Sequence, residues 1–168
     1  MIVDSFRFLP RSFAPMYASA APIDGESEPV WAPFESRLAA AKIGMVTSAG
    51  LYLEGEQEVF DGERERREPT WGDPTHRVLP HQLGGRKIGM MHLHVNPADI
   101  LDDHNVALPT DVLDEFTASG VIGGTTGSHV SVMGYQASGL DVWRNETAPA
   151  IVSLFKDEGA DGVVLAPV

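Results

Sequence analysis

Apolar residues fall along this chain in short runs separated by glycine, proline and charge, and each run predicts an element. Ile43 to Val46 is continuous and apolar, closes on the turn Thr47-Ser48-Ala49-Gly50, and reads as a strand. Ile88, Met90 and Met91 follow the Gly84-Gly85 turn signal and stop at Asn96-Pro97, which predicts a central strand of a mostly parallel sheet. Val121 and Ile122 lead into a glycine-rich loop from Gly123 to His129, and Val130 to Met133 alternates as a further strand. Val163-Val164-Leu165, after the turn Ala160-Asp161-Gly162, reads as a buried strand.

Between these runs the period changes to that of helices. Pro33 to Ala41 has proline at its start, alanines inside and Lys42 at its end. Pro109 to Ser119 takes Thr110 as N-cap and Gly120 as stop, with Val112, Leu113 and Phe116 predicted to face inward. Asn145 to Glu158 has Pro149 in its first turn, an inner stripe of Ile151, Val152, Leu154 and Phe155, and Gly159 beyond its end. Strands alternating with helices predict an α/β domain over 30–168, with an open, mostly parallel sheet and flanking helices, doubly wound and Rossmann-like. No helix is predicted to cover the last strand, so the module is expected to be incomplete at its C-terminal edge.

Two stretches lack a period. Residues 1–29 carry prolines and Phe6, Phe8, Phe13, Met16 and Tyr17, and read as an extended N-terminal arm lying on a neighbouring surface, such as another subunit. Leu51 to Arg86 shows no long helix and reads as a lid, with Asp61 to Glu68 a solvated loop tip.

Composition narrows the partners. With 24 acidic against 12 basic residues the formal charge is −12, which repels polyphosphate and excludes nucleic acid as an expected partner. No apolar run approaches the roughly 20 residues a membrane helix needs, and a cytoplasmic location is expected. The chain has no cysteine, so it brings no thiolate of its own to a metal or a substrate.

Candidate chemistry concentrates in Lys87 to Asn105. Alternation along a strand puts His92 and His94 on one face, near the carboxyl edge where α/β sheets hold ligands, and Asp99, Asp102, Asp103 and His104 follow. These residue types either run acid/base chemistry, led by His94 and Asp103, or hold a divalent metal through His92, His94 and His104. Asp103 or His129 are alternative third ligands. The turn containing Ser48 and Gly50 is expected to open backbone N–H groups toward a small anion. Arg77, in Gly72-Asp73-Pro74-Thr75-His76-Arg77, is suited to gripping a substrate carboxylate, and a structural Asp73–Arg77 pair is the other reading. His129, in the glycine-rich loop, is a further ligand-facing candidate, although the loop matches neither a P-loop nor a dinucleotide fingerprint.

Over most of Glu28 to Val168 the chain resembles the N-terminal portion of the glycine/sarcosine/betaine/D-proline reductase selenoprotein (component B) family. The landmarks are Pro29-Val30-Trp31-Ala32-Pro33, Val46 to Gly50, Gly72-Asp73 with Arg77 and Pro80, the His94 region, and Asp103 with Asn105 and Pro109. Further along are Gly120 with Ile122, Met133-Gly134, Glu146-Thr147 with Pro149, and Gly159 to Leu165. In that family the strand like Gly162 to Leu165 leads into a selenocysteine-x-x-cysteine motif, whose selenol cleaves a substrate C–N bond reductively; that motif is missing here. The resemblance implies a substrate-binding component with His94, Asp103 and Arg77 as pocket residues; Asp73, Ser48, Gly50, Asn105 and His129 are further candidate substrate-binding residues. It also implies a selenocysteine or cysteine nucleophile supplied beyond residue 168 or by a partner chain in a homo- or hetero-oligomer. Two other classes stay open: a metal-dependent hydrolase or lyase centred on His92 and His94, and a non-catalytic assembly subunit that docks a partner through its arm and sheet edge.

Overall fold

The computed structural model describes residues 32–68, 71–136 and 140–168, so the predicted arm lies outside the described residues. The fold is that of the compact unit Phe34–Val168. Its main sheet is built on β1 (Lys42–Thr47). Parallel partners lie on both sides: β5 (Gly124–Thr125) and β6 (Ser128–Val132) on one, β7 (Gly162–Ala166) on the other. β3 (His76–Pro80) adds antiparallel to the far side of β6. A second sheet pairs β2 (Leu51–Leu53) with β4 (Ile88–Met90), antiparallel.

Both faces of β1 are covered, as its nearly unbroken apolar sequence requires. Ile43 and Met45 join Leu51, Leu79, Leu108, Leu113 and Ile122 in one core, together with α3 (Thr110–Ala118). Val46, on the opposite face, joins Val130, Val132, Ile151 and Phe155 in a second core under α4 (Ala148–Asp157). Any Cβ on Gly44 would clash with the Phe155 ring, so glycine at 44 lets α4 lie directly on the sheet. Two short helices, α1 (Gly62–Arg67) and α2 (Ala98–Asp102), complete the unit. This is the open, mostly parallel α/β fold the pattern predicts.

Several elements depart from expectation. The helix predicted over Pro33 to Ala41 is only a 3-10 turn, Leu38–Ala40. Phe34 and Leu38 are both about half exposed there, so the segment buries too little apolar surface to sustain a helix of that length. The strand at Ile88 is not central: it pairs with β2 outside the main sheet, and Gly89 lets the Tyr52 ring pack against its backbone. The supposed loop tip at Asp61 folds as α1, capped by Asp61, whose Oδ1 accepts the Arg64 N–H at 2.9 Å. In α3 only Thr110 and Leu113 are buried, while Val112 and Phe116 are exposed; Pro109, not Thr110, occupies the N-cap position.

The last helix begins earlier than predicted, at Leu140–Val142, and passes through a π-helical turn, Trp143–Thr147, before Ala148–Asp157. Pro149 has no N–H to give the carbonyl four residues back, and the widened turn absorbs that mismatch. β7 is not a buried strand. Among the described residues it pairs with β1 alone, and Leu165 is 72% exposed.

Candidate functional site

A cleft of about 220 Å³ opens at the carboxyl end of β6, where open α/β sheets place ligands. It is lined by Glu65 and Arg66 of α1, Trp71, the loop His92-Leu93-His94 after β4, and Met133 and Tyr135 after β6. Two glycines draw these walls together. A Cβ on Gly62 would strike the Met91 side chain, so α1 lies against Met91 and carries Glu65 toward His94. A Cβ on Gly72 would strike the Tyr135 carbonyl, so the backbone beside Trp71 runs tight against Tyr135.

The imidazoles of His92 and His94 stand edge to face with centroids 6.2 Å apart, and His94 meets Tyr135 in the same way at 6.5 Å. They sit in a turn just past the strand, not on it as predicted, yet still share one cavity. The His94 N–H donates to His92 Nδ1 at 3.2 Å, which leaves His92 Nε2 to carry the proton of the neutral ring. Burial, and then His94, lower the His92 pKa and favour that neutral form. Glu65 is 8% exposed; its Oε1 accepts the Asp73 N–H at 3.1 Å. Burial raises its pKa, the Asp73 N–H and His94 oppose the rise, and the carboxylates of Asp73 and Asp61 add to it.

The other predicted site residues lie elsewhere. Arg77 Nε donates to the Glu58 carbonyl at 2.7 Å, its guanidinium stacks on Phe60 at 4.2 Å, and Nη1 donates to Thr75 Oγ1. Thr75 Oγ1 donates in turn to Asp73 Oδ1, and Asp73 Oδ2 accepts the Asp61 N–H. Thr75 thus bridges Asp73 and Arg77, and Arg77 anchors the start of β3 instead of lining the cleft. Asp103 Oδ1 accepts from both the backbone and the side chain of Asn105, which lowers the Asp103 pKa, and Asn105 in turn caps α3 through Asp111.

The turn at Ser48 and Gly50 spends its N–H groups internally: Ser48 on the Ala166 carbonyl, Ala49 on Thr47 Oγ1, and Gly50 on the Val132 carbonyl. The expected anion nest is therefore closed. His104 donates to or accepts from Thr110 at 3.0 Å and lines a separate groove with Arg86, Lys87 and Leu101. The set His92, His94, His104 does not assemble, and among the described residues no group of three His, Asp or Glu side chains is placed to hold a metal ion.

His129 is wholly enclosed, not ligand-facing. Asp114 Oδ1 and His81 Nε2 are 2.8 Å apart, and His81 Nδ1 and His129 Nε2 also 2.8 Å. With Asp114 ionised the chain reads in one direction: His81 Nε2–H donates to Asp114, and His129 Nε2–H donates to His81 Nδ1. His129 Nδ1 is left as a buried acceptor with no partner. Burial and His81 lower the His129 pKa to about 4, so it stays neutral near pH 7.

Sequence reasoning missed Glu65, Arg66, Trp71, Tyr135 and His81. The signal for Glu65 was available: Asp61-Gly62-Glu63-Arg64-Glu65 has a capping residue, and Gly62 and Glu65 share a helix face. Comparison with family models, curated proteins and solved structures finds no match. No helix among the described residues is long and apolar enough to cross a membrane.

Proposed function

We propose that this chain is the substrate-binding component of a reductase-type enzyme that cleaves a C–N bond of a small amino acid, betaine or related amine. The cleft at the carboxyl end of β6 carries the reading: it joins a buried carboxylate, two imidazoles and two aromatic rings, with Arg66 at its rim. A substrate with an amine and a carboxylate finds partners for both ends there. His94 is the acid/base group of the proposal, because His92 is tied to its backbone and Asp103 is spent on the turn before α3. The nucleophile comes from another segment or chain, since a selenolate or thiolate is needed and this sequence has no cysteine. The same end of the sheet suits such a segment: Val168 N–H donates to Ser48 Oγ at 2.9 Å, and Ser48 packs beside Gly134, between cleft residues Met133 and Tyr135.

The test is to express the chain together with the products of its neighbouring genes and measure, under a dithiol reductant, release of ammonia or an amine from glycine, sarcosine and betaine and ring opening of D-proline to a primary amine. Release is expected from the assembly and not from the chain alone, and His94→Asn should lower kcat by about 100-fold. Turnover by the isolated chain, or no release from any substrate by the assembly, would sink the proposal.

A further inference from the structure

We propose that Glu65 selects the ammonium end of the cleft's ligand, with Trp71 and Tyr135 as the apolar walls around that charge and Arg66 receiving an acidic end. The proposal rests on the cleft being the substrate site, and it assigns the two ends of that site to residues.

A carboxylate nine-tenths withdrawn from water is normally matched by a cation or by several hydrogen bonds. Glu65 has neither in full. Among the described residues no ion pair reaches it, and its one hydrogen bond is the 3.1 Å contact from the Asp73 N–H to Oε1. Asp73 and Asp61 push its pKa up, with His94 opposing. The carboxylate lines the cleft and, among the described residues, has no ion-pair partner.

The walls suit a cation. Trp71 already carries the Arg64 guanidinium 4.2 Å from its ring centroid, and an indole and a phenol both offer electron-rich faces to an ammonium group. Arg64 does not compete for Glu65, because its Nε is held by Glu68 at 3.1 Å. Arg66 is exposed at the cleft rim, suited to meet a carboxylate on the same ligand. The volume of about 220 Å³ admits a small zwitterion, not a peptide or nucleotide. Burial raises the Glu65 pKa, and only the ionised carboxylate pairs with an ammonium group, so cation binding strengthens as pH rises through the Glu65 titration.

The full chain is titrated with ethylammonium, acetate and ethanol while the indole N–H of Trp71, assigned through Trp71→Phe, is followed by heteronuclear NMR. Ethylammonium should shift that resonance saturably with a Kd of about millimolar, whereas uncharged ethanol should not. Glu65→Gln keeps an acceptor for the Asp73 N–H and should weaken ethylammonium binding about tenfold or more; Arg66→Gln should weaken acetate binding and leave ethylammonium unaffected. Equal responses to ethanol and ethylammonium in the unmodified chain, or unchanged ethylammonium affinity in Glu65→Gln, would overturn the assignment. A response to acetate alone leaves the cleft as a small-molecule site but removes Glu65 as its selector. No response to any of the three overturns both the assignment and the cleft reading beneath it.

Discussion

At Gly50 the backbone adopts φ +65°, and an added Cβ would collide with the carbonyl oxygen of Met91, which belongs to the backbone and cannot swing away. Gly55 has a similar φ of +76° but open space around it. The two positions therefore separate conformational strain from collision. Gly55→Ala should cost about 1 kcal/mol, the left-handed penalty alone, and Gly50→Ala about 2 kcal/mol or more, read from urea unfolding midpoints. Equal costs would show that the Met91 contact yields easily. Ser48 and Gly50 were legible in the sequence as a turn, but not its role: the turn binds the strand ends to each other, with its N–H groups used on Ala166 and Val132. Which acceptor an N–H finds depends on what the rest of the chain brings beside it.

Among the elements, α3 shows how a catalytic candidate, Asp103, and a substrate-binding candidate, Asn105, become a cap. Asn105 Nδ2 donates to Asp103 Oδ1 and Asp111 Oδ2, both at 2.9 Å, while its Oδ1 accepts the Asp111 N–H at 3.0 Å. Asn105→Ala removes all three, and should lower stability by about 1 kcal/mol without moving the Trp71 indole resonance in the cleft. A shifted Trp71 signal with unchanged stability would return Asn105 to the site. Helix existence was legible at α3 and at the last helix, because glycine stops and a 3.6-residue period are local signals. Which residues face inward was legible only in part: Leu113, Ile151 and Phe155 are buried as predicted, Val112 and Phe116 are not. Val152, predicted to lie in the inner stripe, is half exposed, whereas Ile151 and Phe155 lie on the sheet, and the π turn before Pro149 sets that helix's rotation and start.

For the whole unit, the chain Asp114–His81–His129 ties α3 to the end of β3 and to β6, and protonating His129 at its unpartnered Nδ1 would place a charge in the core. In the folded state His129 takes up a proton near pH 4, against about 6.5 in the unfolded chain. Between those values the unfolded state binds the extra proton, so stability falls as pH drops from 6.5 to 4 and is unaffected by this group above 6.5. The Asp114 carboxyl, lowered first by its hydrogen bond to His81, acts in the same direction, its contribution disappearing as acid protonates it. Urea unfolding at pH 7 and pH 4.5 should differ by a few kcal/mol, of which about 3 is the largest share His129 can supply. His129→Gln should flatten that dependence. A dependence as steep in the variant as in the parent would remove the histidine chain as its source.

The sequence by itself determined the class of fold, because continuous apolar strands alternating with amphipathic helices leave few ways to bury both faces of β1. It also marked the neighbourhood of the site: His92 and His94, read as neighbours on a strand, line one cavity although they sit in the turn after it. Everything that required knowing which distant residues meet was decided by the tertiary structure. Glu65 and Tyr135 are 70 positions apart and line one cleft in the fold, where Gly72 lets the backbone beside Trp71 run tight against Tyr135. Arg77, Asp103, Asn105, His104 and His129 had the right chemistry for a site, and the fold used each for hydrogen bonds within the unit. A side chain's donors and acceptors are visible in its formula, but its partners are set by packing, and a buried polar group takes whichever partner the fold supplies.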